Sequence, residues 1–161
     1  MNLQEILINS MWCAFFATSM SILNSTPYKF IIPTFVCGFA GILIRDLCQG
    51  WGLSPNWSTL VAAFAIAMIA GLTIRSRYVP PIVLICAVLP QWASVAMFNM
   101  LNDLRKVSLL TGDELNKAAI DLSANFANVV VISIAIAIGF ALGLGVLKLI
   151  YRKTSEIERT V

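Results

Sequence analysis

Histidine is absent from this chain of 161 residues, and charge of either sign is scarce, with 11 Lys+Arg and 8 Asp+Glu making 12% of the total. Without His there is no Ser-His-Asp or Cys-His arrangement, no HExxH zinc site and no imidazole proton shuttle. The carboxylates and serines that remain form no nucleophile-base pattern, so the sequence does not read as an enzyme. A net charge of +3, scattered along the chain, is too weak a footprint for nucleic acid. The four cysteines, Cys13, Cys37, Cys48 and Cys86, show no CxxC spacing, and three lie in apolar runs. They read as small apolar packing residues, and neither a metal nor a cofactor is expected. What is plentiful is apolar surface, at 59% of residues and a mean hydropathy of +0.86. Soluble domains carry about 25% charged residues, and a soluble core of this size would lack its polar coat. The chain reads as an all-α integral membrane protein.

The amino terminus lacks a basic region and carries Glu5, so the first apolar stretch is expected to be retained as a span. Runs of about 20 apolar residues suffice to cross a bilayer, and five are expected: 6–23, 30–48, 58–74, 82–101 and 125–150. The breaks between them carry turn chemistry, including Asn24-Ser25-Thr26-Pro27, Gly50-Trp51-Gly52-Leu53-Ser54-Pro55 and Arg75 to Pro81. Tyr28, Trp51, Trp57, Tyr78 and Tyr151 fall at the expected ends, where amphipathic rings favour the headgroup layer. Lys29, Arg75, Arg77, Lys148, Arg152, Lys153 and Arg159 lie on one side, and Arg45, Arg105, Lys106 and Lys117 on the other. The richer side is expected to be cytoplasmic, with the amino terminus outside and the carboxyl terminus inside. Residues 1–151 then form the membrane domain and 152–161 a charged cytoplasmic tail, which is expected to fray. In the last loop, Thr111-Gly112-Asp113-Glu114 has capping-box form. A short interfacial stretch is expected to run from it into the fifth span, as one long helix.

Burial does not drive helices together in lipid, so small residues must let them approach closely. The fifth span has two such rows: Ala127, Val131, Ala135, Gly139 and Gly143 on one ridge, and Ser133, Ala137, Ala141 and Gly145 on the next. Packing within the chain is the simpler reading. The sharper one is docking of another subunit, because five helices hardly enclose a solute path alone; a homo-oligomer is compatible with the same ridges.

Polar groups at membrane depth are costly and stand out. Arg45 either snorkels to the far interface or faces an internal cavity, where its planar fork suits a carboxylate. Asp46 points about 100° away and is a poor partner for Arg45, though a possible titrating group. Pro90 lies in the middle of span four and removes a helical hydrogen bond. Freed carbonyls must then face protein or water, and Gln91 and Ser94 add polar groups beside the break. The alternatives are a structural kink and a solute site of the kind discontinuous helices build. Asp121, Asn125 and Asn128 share one face at the entry to span five, the two amides being deep enough to need partners. Asn99 and Asn102 are expected at the interface.

The run Arg45-Asp-Leu-Cys-Gln-Gly-Trp-Gly52-Leu53-Ser-Pro-Asn-Trp57-Ser58-Thr59 resembles the small membrane subunit of the two-component threonine/serine exporter family. The likeness extends to Pro90, Asn125 and Tyr151-Arg152-Lys153, and so covers roughly residues 28–153. Family members tend to carry Pro-Gly after the span-four proline, where this chain has Ala93-Ser94. The resemblance implies a larger membrane subunit as partner and a bacterial inner-membrane location. It also implies gradient-driven export of small carboxylates, either threonine/serine-type amino acids or dicarboxylates such as succinate. On that reading Arg45 attracts the solute carboxylate, while Pro90, Gln91, Ser94, Asn125 and Asn128 line its path. Ser58 and Thr59 either cap span three or line the path, capping being favoured by their place at a helix start. The competing reading is a structural membrane adaptor that assembles a larger partner without transporting.

Overall fold

Every backbone polar group in lipid has to be satisfied within the protein, so each apolar run closes its hydrogen bonds as a helix. The computed structural model describes residues 3–74, 79–91 and 94–160, and these are helical apart from short turns. The helices are α1 (Leu3–Leu23), α2 (Ile31–Gly50), α3 (Pro55–Ile74), α4 (Pro81–Val88), α5 (Ser94–Leu109) and α6 (Asp113–Thr160). Four helices have the length and composition to cross a membrane, namely α1, α2 with its preceding turn, α3, and α6 over Glu114–Tyr151. The expected fourth span is divided. Helix α4 ends at Val88, a 3-10 turn covers Leu89–Gln91, and a new helix starts at Ser94. Pro90 has no N–H to give the Cys86 carbonyl, so the α-helical ladder stops there.

The turn chemistry is specific. Helix α2 ends with Gly52 at φ +86°, its N–H bonded to Gln49 O and that of Leu53 to Cys48 O. This is a Schellman closure, which needs a residue able to take positive φ; the Gly52-Leu53 pair is therefore a helix stop. Helix α3 starts at Pro55, three residues before the expected boundary, because proline suits a first helical turn. Consequently Ser58 and Thr59 do not cap it. Their hydroxyls donate back to the Pro55 carbonyl at 2.9 and 2.7 Å, and both side chains are buried. Helix α6 begins one residue later than the capping-box reading, with Gly112 (φ +73°) accepting from the Leu115 and Asn116 N–H groups in the place expected of Thr111. It is one helix of 48 residues, about 72 Å long. The tail expected to fray stays helical through Thr160, since no Gly or Pro interrupts it.

The chain forms two compact units. The first holds residues up to Gln91 together with 135–161, and the second holds 92–134. In the first, α1 packs antiparallel on α2, with Gly38 of α2 seated against Ala14 and Ala17. Antiparallel packing of α2 on α3 brings Gln49 to Ser58 and Cys37 to Ile66. The later part of α6 runs parallel to α3: Gly139 meets Leu60 and Ala63, Gly143 meets Phe64 and Ala67, and Gly71 meets Leu147. Tyr151 Oη closes the series on Gly71 O at 3.1 Å. Ala135, Gly139 and Gly143 are thus spent on packing within the chain. Gly145 has nothing within 4 Å of where its Cβ would lie, and Ala137 and Ala141 beside it are exposed. In the second unit α5 and the start of α6 pair.

Candidate functional site

Helix α2 supplies the first polar group. Asp46 is buried at 7% exposure and accepts a hydrogen bond from Asn9 Nδ2 of α1 at 2.9 Å. Arg45 beside it is half-buried, and its Nε is enclosed without a hydrogen-bond partner. Among the described residues Arg45 makes no ion pair with Asp46, as their divergence along the helix requires. One helical turn before Arg45 comes Gly41, and here the broken element enters. A Cβ at Gly41 would collide with Gln91 Nε2 and lie 2.6 Å from Ile66 Cδ1. Glycine at this position lets the Leu89–Gln91 turn reach the α2 backbone.

Depth follows from counting. Gly41 and Gln91 each lie ten residues into their elements, from Ile31 and Pro81, so each has risen about 15 Å. Both elements start on the side where α3 ends, which puts the contact near the middle of a core about 30 Å thick. Gln91 is 1% exposed, and neither its Nε2 nor its Oε1 has a partner. An unmade hydrogen bond on a buried polar atom costs about 1–3 kcal/mol, so an amide with both ends open is an unusual thing to keep at mid-membrane. Pro90 next to it is half-buried. Ser94 is the first residue of α5, and Trp92 and Ala93 lie outside the described residues.

A second polar cluster lies in the other unit. Asn125 Nδ2 donates to Asp103 Oδ2 at 2.8 Å, and Lys106 Nζ pairs with Asp103 Oδ1 at 2.9 Å. Asn99, Asn102, Lys106, Asp121 and Asn125 surround Asp103 along a cleft of about 330 Å³. Asn128 is exposed. The hydrogen bond from Lys106 holds the Asp103 carboxyl below its ordinary 3.8, aided by that from Asn125 and opposed by burial. Asp103 is buried at 5% exposure and lies two residues past the expected end of span four. A carboxyl lowered on folding stabilises the fold above its unfolded value and loses that contribution as pH falls through the folded one. Acidification below 3.8 is expected to loosen the α5–α6 pairing, read as faster amide exchange in α5. Asp103→Asn should start looser and show no such acid step; the same step in the variant would assign it to another group.

Arg45 and Gln91 therefore belong to one unit, with Asp46 and Asn9 near Arg45, while Asn125 is committed to Asp103 in the other. Sequence reasoning missed Asn9, Gly41 and Asp103. Nothing local marks them, because their partners lie 37, 50 and 22 positions away.

A family model described as Threonine/Serine exporter, ThrE matches residues 9–146. Neither the curated proteins nor the solved structures contain a match to this chain. The matched segment takes in most or all of each crossing helix, together with the Gly52-Leu53 stop and the break at Pro90, and the family is one of transporters, not enzymes. A match over most of the length fixes the relationship: this multi-pass plasma-membrane protein belongs to the threonine/serine exporter family.

Proposed function

We propose that the chain is one subunit of a two-component secondary exporter of small carboxylates, threonine/serine-type amino acids or dicarboxylates such as succinate, working with a larger membrane subunit. The observation that carries this reading is the buried, doubly unpaired Gln91 amide at a mid-depth helix break, one turn of α2 from Arg45. Discontinuous helices place polar groups where solute crosses, and a guanidinium fork nearby supplies the counter-charge for a carboxylate. Asn125 and Ser94 follow the break in the chain, and it is the family resemblance that assigns them to the solute path. Asn128, being exposed, would meet solute only at an entrance or a partner interface. The exposed Ala137, Ala141 and Gly145 ridge suits a partner helix.

Residues 1–151 act as the membrane domain and 152–161 as the tail. The Lys/Arg bias supports an outer amino terminus and a cytoplasmic carboxyl terminus. Two halves of this kind with opposite orientation would make an inverted-repeat transporter.

The test uses cells preloaded with labelled threonine, serine or succinate. Efflux of at least one is expected to fall several-fold when this chain is deleted and to recover when it is restored. Equal efflux with and without it would leave the adaptor reading in place.

A further inference from the structure

We infer that Gln91 is a positioning residue for Arg45: its amide turns over to hold the guanidinium between solute loads and releases it when a carboxylate arrives. The inference rests on the proposed transport function and deepens it. Two buried polar groups of the first unit are left without hydrogen-bond partners, the Arg45 Nε and both ends of the Gln91 amide. Each is what the other lacks. A guanidinium only donates, and an amide oxygen accepts.

Their places along α2 bring them within reach. A Cβ at Gly41 would fall on Gln91 Nε2, so the amide sits where a side chain at position 41 would begin. Residues four apart on a helix have Cβ atoms about 5–6 Å apart, which sets the scale of the gap to Arg45. Side chains on a helix lean toward its start, so the methylene groups of Arg45 carry its Nε back toward Gly41. The end of the amide facing Gly41 is Nε2, a donor, and two donors do not pair. The terminal torsion of glutamine is broad and roughly two-fold, so a half-turn puts Oε1 in the same place without moving the backbone. One bond then relieves two unmade ones. Competing acceptors are few: Asp46 is turned about 100° away and accepts from Asn9, and neither α3 nor α4 carries a carboxylate. A neutral amide also binds a guanidinium less strongly than a carboxylate does, so an arriving solute displaces it.

Two substitutions of similar volume at position 91 should then act in opposite directions, which a mere loss of packing would not produce. Efflux is measured at graded loads of labelled threonine, serine or succinate, from cells expressing the full chain with whatever partners those cells supply. Gln91→Met frees Arg45 from its competitor, so the half-saturating load should fall roughly tenfold, and the maximal rate should fall too as solute leaves Arg45 more slowly. Gln91→Glu holds the guanidinium as an ion pair, and should raise the half-saturating load by roughly tenfold. A half-saturating load that neither variant moves, or that both move the same way, overturns the inference.

Thermal unfolding of the purified chain in detergent gives a reading that needs no transport. A carboxylate at position 91 is paired beside Arg45 and stranded without it. Gln91→Glu is therefore expected to lower the melting temperature of an Arg45→Met background by about 10 °C while shifting that of wild type far less. Equal losses in the two backgrounds overturn the pairing. If the two positions are coupled but no solute leaves faster with the chain than without it, the transport reading has failed and the role between loads falls with it, while the contact itself stands.

Discussion

Arg45→Ala is expected to reduce solute efflux by at least a hundredfold while the protein still reaches the membrane in normal amount. Arg45 lies 14 residues into α2, about 21 Å from its start, and so is past the midplane but short of the far surface. A cation at such depth is costly, and its enclosed Nε gains no hydrogen bond in return. Structure therefore gives no reason to retain the charge, and removing it leaves no buried partner stranded, since Asp46 is satisfied by Asn9. Folding should be unharmed, and only a function that uses the charge should suffer. Arg45→Lys keeps the charge but loses the planar fork, and should retain an intermediate rate. Normal efflux by Arg45→Ala would remove the guanidinium from the transport path.

Gly143→Leu should have the largest effect on folding. A Cβ there would lie 2.6 Å from Ala67 Cβ and 2.9 Å from Phe64 O. One of those contacts is backbone, so no side-chain rotation relieves it. Gly139 is equally tight, 2.7 Å from Leu60 O. Association of helices in lipid depends on such close approach, and forcing α3 and α6 apart is expected to cost about 3 kcal/mol, at the upper end for overpacking. The measurement is thermal unfolding of the purified protein in detergent. Gly145→Leu is the matched control, because it faces open space. Its melting temperature should stay within a degree or two of wild type, while co-purification of a partner subunit falls. If the two leucine variants unfold alike, the division between an inner and an outer ridge is wrong.

Composition alone determined the class of this protein: too few charges to coat a soluble core, no histidine for the common catalytic chemistries, and apolar runs long enough to become helices in lipid. Local chemistry set most of the stops as well, since Gly52 and Pro90 act on the backbone within one turn of themselves. The same local rules misjudged Ser58 and Thr59, because a proline three residues upstream starts α3 earlier and turns their hydroxyls toward its carbonyl. The family resemblance was legible because it rides on these contiguous motifs. Tertiary structure alone decided which small ridge of α6 is consumed by α3 and which stays open, as the two carry equivalent residues. It also decided that Asp46 belongs to Asn9, that Asn125 belongs to Asp103, and that Gln91 meets a glycine and not a polar partner. Hydrogen bonds across tens of residues depend on how helices are rotated and at what depth they meet, and neither quantity is written in any local stretch of chain.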